Sequence, residues 1–142
     1  MAATRNAMVE LFWKVHPRLY RWSGGRIGGS LMGLPVLLLT TSGRKSGQPR
    51  TTALMYLPRA TDFVVVASVL GEPRHPFWWR NLEADPEATV LVGRSRYAVR
   101  AREAVGAERE ALWRLVVAKV ADYEEYQART TRRIPVVVLE RR

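Results

Sequence analysis

Apolar residues recur with two different periods along this chain. From Asn6 to Trp22 they fall at Met8, Leu11, Phe12, Val15, Leu19 and Trp22, and such spacings of three and four mark one face of a helix. Pro17 lies inside that pattern and predicts a bend or a break near His16, because proline removes a helical donor and constrains the residue before it. Arg5, Lys14, Arg18 and Arg21 make the other side basic. A basic amphipathic helix suits an anionic membrane surface or a lid over a site; the same pattern also describes a core-packing helix with a solvated face. Residues 23–33, SGGRIGGSLMG, hold two Gly-Gly pairs and predict a flexible connection. They are no dinucleotide fingerprint, since the glycine spacing is wrong and no strand precedes them.

After that connection the period shortens. Residues 35–58, PVLLLTTSGRKSGQPRTTALMYLP, read as two apolar runs around a tip in which Gly43 and Gly47 bracket Arg44, Lys45 and Ser46, which is the pattern of a β-hairpin. The tip combines clustered positive charge (Arg44, Lys45 and, past Pro49, Arg50) with backbone amides expected to be exposed, and so should receive an anion such as phosphate. Residues 62–69, DFVVVASV, predict a β-branched strand. A turn over 71–76 leads through Pro76 into a helix along Phe77, Trp78, Trp79, Asn81 and Leu82, which Asp85-Pro86 ends. Residues 87–92 read as a strand, 96–102 as a half-exposed strand, 107–120 and 122–130 as helices, and 134–140 as a closing strand. Short turns between 36–41, 51–57 and 62–69 favour antiparallel pairing. The expected class is α+β: a sheet of about six strands, curled into a small barrel with peripheral helices.

Composition narrows the picture without changing it. With 142 residues, 47% of them hydrophobic, one domain with one core is expected, residues 34–142 forming the barrel and 1–33 a helical segment with its linker. The absence of cysteine excludes disulfides, thiolate metal sites and cysteine nucleophiles and fits a reducing cytoplasm. No apolar run approaches the roughly 18 residues of a membrane span, and the N-terminus lacks a secretory h-region. The expected location is cytoplasmic, with peripheral contact at the inner membrane face through the N-terminal helix. The net charge is +10, almost all of it from arginine against three lysines, which should attract acidic cofactors, polyanions or anionic lipid. The arginines are scattered and no groove-reading motif accompanies them, so nucleic acid is not an expected partner. His75 has no second histidine near it in sequence, and no metal role is assigned to it.

Three stretches, LLLTTSGRKSGQPRTT, VVVASVLGEPRHPFWWRNLEADPEATV and DYEEYQARTTRRIPVVVLE, occur in an order and at a spacing that closely resemble the deazaflavin-dependent nitroreductase family, actinobacterial oxidoreductases that use coenzyme F420. The resemblance covers Leu34 to Glu140. It implies a split β-barrel related to the flavin-binding barrels of the pyridoxamine-phosphate oxidase type. It also implies hydride transfer from the reduced deazaflavin to a quinone, a nitro compound or another conjugated small-molecule acceptor. Some members are peripheral membrane proteins that reduce quinones.

The resemblance assigns residues as well. The tip, with Arg44, Lys45, Ser46, Gly47 and Arg50, would hold the coenzyme's phosphate and approach its acidic tail. Thr52, Ala53, Met55, Ala67 and Ser68 would line the ring plane, where small side chains let a flat ring approach the backbone. Phe77 and Trp78 would wall the pocket, although plain core packing is the commoner use of such aromatics. Tyr123 and Tyr126, three apart on one helix face, match tyrosines that border the acceptor and help to orient or protonate it. Val69 stands where relatives carry a basic residue, Met55 where one carries a tyrosine, and Val120 where a third pocket tyrosine lies. The pocket is therefore expected to be more apolar and to favour a hydrophobic, quinone-like acceptor. A barrel loaded with FMN, and a non-catalytic carrier of deazaflavin or of a fatty-acyl ligand, are the competing expectations.

Overall fold

A single bent strand determines how the sheet closes. The computed structural model describes Arg18, Arg21 and residues 30–31, 34–68 and 73–142. The helix expected over Asn6–Trp22 lies outside the described residues, apart from Arg18 and Arg21, which are helical and exposed. Most of the glycine-rich connection, and Val69, lie outside them too. The described elements are β1 (Ser30–Leu31), β2 (Leu34–Ser42), β3 (Pro49–Met55), β4 (Leu57–Arg59), β5 (Asp62–Val66), α1 (Phe77–Ala84), β6 (Glu87–Val92), β7 (Ser95–Glu103), α2 (Gly106–Lys119), α3 (Asp122–Ala128) and β8 (Val136–Arg141).

The hydrogen-bonded order is β2-β6-β7-β8-β5-β4, with β3 on the other edge of β2 and every pairing antiparallel. β3 and β4 are one strand interrupted at Tyr56, whose amide still donates to Pro35 O at 2.9 Å. Its first half pairs with β2, from Val36 opposite Met55 to Ser42 opposite Pro49. Its second half pairs with β5, from Leu57 opposite Val64 to Arg59 opposite Asp62. By changing partners at Tyr56, the strand pairs with β2 through its first half and with β5 through its second, and so closes the sheet into a split barrel. The expected strand over 51–57 is thus the middle of a longer, broken one.

The strand expected over 62–69 pairs only to Val66, and the closing strand starts at Val136 rather than Ile134. Pro135 explains both ends: it has no N–H to give the ladder, so pairing stops where it would be needed. Pro76 caps α1 from an extended conformation instead of occupying its first turn.

Alternation along the strands sorts side chains into two main cores. Leu37, Leu39, Phe63, Val65, Val90, Val99, Val137 and Leu139 fill the barrel, and Trp78, Trp79 and Leu82 of α1 plug one end. Val64, Val66, Val136 and Val138 point outwards, where Leu112, Val116, Val120, Tyr123 and Tyr126 from α2 and α3 cover them. Burial on both faces explains the unbroken valine runs, and each buried valine or leucine contributes about 1.5–3 kcal/mol. A smaller outer cluster joins Val36, Leu38 and Ala53, with Met55 and Leu91 against it.

Candidate active site

The hairpin tip is a hydrogen-bonded frame that carries exposed charge. Gly43 N donates to Gln48 O at 2.8 Å, and Gly47 N donates to Gly43 O at 2.8 Å. Gln48 N donates to Ser46 Oγ at 3.2 Å, and Arg44 N donates to Asn81 Oδ1 at 3.1 Å. A Cβ on Gly43 would lie 3.0 Å from Ser46 Oγ and 3.2 Å from Gln48 O, and Gly47 holds φ +72°, so both turns suit glycine. The expectation of exposed amides is corrected: four are consumed within this frame, and only those of Lys45 and Ser46 have no partner among the described residues. The Ser46 hydroxyl accepts from Gln48 and keeps its own proton to donate. Anion binding therefore falls to the side chains of Arg44, Lys45 and Arg50, all exposed.

Asn81 anchors this frame. It is 2% exposed, its Oδ1 accepts from Arg44 N, and its Nδ2 donates to Thr41 Oγ1 at 3.1 Å. The sequence assigns only Phe77 and Trp78 of this helix to the pocket wall and gives Asn81 no role beyond its place on the helix. Its signal was there: Asn81 lies three residues after Trp78, a polar side chain on the buried face of α1.

The expected ring-lining residues divide between faces. Thr52 stands opposite Leu39 and Arg50 opposite Thr41, whereas Ala53 stands opposite Leu38 and Met55 opposite Val36. Cross-strand partners share a face, so Thr52 looks inwards and Ala53 and Met55 look outwards. These neighbours cannot line one plane with their side chains. Met55 packs against both the outer cluster and the cluster that contains the tyrosines. The Ala67 side chain belongs to the barrel core, and Ser68 is buried beside it in sequence. Phe77 is 48% exposed while Trp78 is 4% exposed and packed in the barrel, so the two aromatics of the expected wall face different surroundings.

Tyr123 and Tyr126 meet as expected, with ring centroids 5.8 Å apart at 82°. Trp113 packs on Tyr123, and the Arg129 guanidinium lies 5.4 Å over the Tyr126 ring. They are 4% and 9% exposed, and burial pushes both phenols above their ordinary range, so each remains a protonated donor at neutral pH. Among the described residues neither hydroxyl has a hydrogen-bond partner. Buried polar groups are normally paired, and an unpaired buried donor suits a site that receives an acceptor oxygen from outside. Val120 is buried in the same cluster.

A second residue missed in the sequence lies between these regions. Arg132 donates to Ala67 O at 3.1 Å through Nη1 and to Ser68 O at 2.7 Å through Nη2, and Nη1 also donates to His75 Nδ1 at 3.0 Å. Gln127 of α3 holds the same segment, donating to Arg132 O at 2.8 Å and accepting from Ile134 N at 3.0 Å. Elsewhere, a small cleft lined by Arg59, Asp62, Arg102 and Glu108 contains none of these residues. Arg102 bridges Glu108 and Glu140 at its rim.

Known proteins share both sequence and fold with this chain. The family model for F420H(2)-dependent quinone reductases matches residues 12–141. An F420H(2)-dependent quinone reductase of Mycobacterium tuberculosis is 42% identical over 142 residues, covering 97% of this chain and 95% of that protein. A solved F420-H2 dependent reductase is 41% identical with a TM-score of 0.69, covering 75% of this chain and 94% of that one. A Listeria innocua structure described as a pyridoxamine 5′-phosphate oxidase, 11% identical with a TM-score of 0.53, covers 75% of this chain and 82% of that one and shares the fold.

Proposed function

The chain belongs to the F420H(2)-dependent quinone reductase family, and from that premise we propose how its residues divide the work. The enzyme is an oxidoreductase whose coenzyme is F420. When bound, F420H2 supplies the hydride that reduces a quinone. The cofactor carries the redox chemistry, so the protein's part is to bind, orient and keep water away.

Arg44, Lys45 and Arg50 hold the acidic, phosphate-bearing end of the coenzyme by charge, with Arg44 able to bind a phosphate through two parallel N–H groups. The Ser46 hydroxyl adds one donor. The outer face of β3, with Ala53 and Met55, and the strand end at Ala67 and Ser68 border the ring; Thr52 acts from the inner face and Trp78 by packing behind. Phe77, exposed at the start of α1, is left free to touch a ligand. Tyr123 and Tyr126 form the acceptor wall, where a phenol can donate to a quinone oxygen as it gains negative charge. The single observation that carries this division is the contrast between exposed cationic side chains at the tip and buried, neutral hydroxyls on α3 that have no partner among the described residues.

The same reading extends to location. No helix among the described residues is long and apolar enough to cross a membrane. We place the enzyme in the cytoplasm, with its basic N-terminal segment at the inner membrane face, where a lipophilic quinone would be met. A titration of the purified protein with F420 and with FMN, followed by oxidation of F420H2 with menadione, tests the proposal. F420 binding preferred over FMN, with turnover, supports it. F420 binding without turnover makes the protein a carrier, and no F420 binding overturns the reading.

A further inference from the structure

The strand end at Ala67 and Ser68 and the start of α1 at His75 both converge on the guanidinium of Arg132, more than 50 residues further along the chain. The β5–β8 register continues from Val66 opposite Val136 to Ala67 beside Pro135, where Ala67 N donates to Pro135 O at 3.0 Å. In an antiparallel pair of this kind the partner amide would answer with a bond to Ala67 O, but Pro135 has no N–H. The Arg132 fork replaces that missing donor, binding Ala67 O at 3.1 Å and Ser68 O at 2.7 Å. It also takes in His75 Nδ1 at 3.0 Å, the residue before the Pro76 cap of α1. Gln127 fixes the backbone of Arg132 to α3.

We infer that Arg132 is a positioning residue, holding the strand end at Ala67 and Ser68 and the start of α1 in a fixed relation to the tyrosine helix. The inference rests on the F420 reading of this site: the strand end borders the coenzyme ring and α3 the acceptor, so a loose clamp would let the two reactants drift apart. Three acceptors at three angles suit a planar fork; lysine, a single point donor, cannot span them. His75 must present an unprotonated Nδ1 to this arginine. Its burial and the charge of Arg132 keep its titration below the ordinary histidine value, with Arg80 of α1 acting the same way and Glu83 of α1 and Glu103 of β7 opposing.

The test compares wild type with Arg132→Met and Arg132→Lys in the full chain. Reactants misplaced by about 1 Å lose on the order of a hundredfold in rate, so kcat with menadione should fall about ten- to a hundredfold in Arg132→Met, with less recovery in Arg132→Lys than charge alone would give. The F420 Kd, set at the hairpin tip, should stay within about threefold. In coenzyme-free protein, the His75 imidazole, one of only two histidines, should titrate at higher pH in Arg132→Met when followed by NMR. Should that variant fail to fold, Arg132→Lys and rescue of Arg132→Ala by added guanidinium keep the question answerable. An unchanged kcat in both substitutions, or a fall in kcat matched by an equal rise in the F420 Kd, overturns the inference. Failure of the wild type to bind F420 would instead refute the reading of the site, while the His75 shift would still report the clamp.

Discussion

The hairpin tip and the tyrosine pair solve opposite problems. At the tip the backbone is locked, glycine against glycine and Arg44 N against Asn81, while the cationic side chains stand in water. The two tyrosines of α3 are buried and uncharged, in the apolar cluster that holds Val120, Val136 and Trp113. An anionic ligand end can be held by exposed charge, provided its carrier is rigid. A hydrophobic acceptor needs a dry wall with one or two donors, since specificity in an apolar pocket comes from few polar groups. The comparison predicts that coenzyme affinity and acceptor kinetics can be damaged separately.

The largest expected effect is at the tip. Arg44→Ala combined with Arg50→Ala removes two charge-assisted contacts of about 1.5–3 kcal/mol each, so the F420 Kd should weaken at least about a hundredfold. The loss should shrink as salt rises, with the menadione KM nearly unmoved. Fluorescence titration at two salt concentrations measures it; a change confined to the menadione KM would reverse the assignment.

Next in size is the pair Tyr123→Phe and Tyr126→Phe. Each should lower kcat/KM for menadione about tenfold, at the modest end of what a proton donor contributes, while F420 still binds as before. Because neither hydroxyl has a partner among the described residues, its removal should leave the melting temperature unchanged or slightly raised. A marked loss of stability would mean that these are structural tyrosines.

Asn81→Leu should act on both stability and the tip. It strands Arg44 N and Thr41 Oγ1, a loss of about 1–3 kcal/mol in folding, and should raise the F420 Kd only a few-fold, since the charges remain. Faster hydrogen exchange at the Arg44 amide would report the freed loop directly. No change in that amide would separate Asn81 from the tip.

The smallest effect is an absence. Burial holds both phenols above the ordinary value of 10.0, so menadione turnover should show no tyrosine ionisation between about pH 8 and 10. The folded chain keeps these protons more tightly than the unfolded chain does. The associated stability is therefore complete below pH 10.0 and drains away as the pH rises beyond it, which a series of alkaline melts would reveal.

Much of this was legible along the chain, and the exceptions share a cause. The valine and leucine runs announced strands because β-branched and apolar residues suit a twice-buried sheet. The three-residue spacing of Tyr123 and Tyr126 placed them on one face, and the tip charges were plain. What stayed hidden depends on partners far away. The tip amides look free until Asn81, 37 residues from Arg44, takes one of them. The strand end at Ala67 looks regular until Pro135 withholds its donor and Arg132, 65 residues away, replaces it. The bend at Tyr56 has no local mark, because it arises from the change of partner between β2 and β5. The opposite faces of Thr52 and Ala53 follow directly from the two-residue period of a strand.

The central claim is that charge at the tip holds F420 while the buried tyrosines govern the quinone. Its most direct test is steady-state oxidation of F420H2 by menadione in wild type, Arg44→Ala/Arg50→Ala and Tyr123→Phe/Tyr126→Phe, varying both reactants. The account predicts that the arginine pair raises the F420H2 requirement alone and the tyrosine pair lowers kcat/KM for menadione alone. Both variants failing in the same parameter would contradict it.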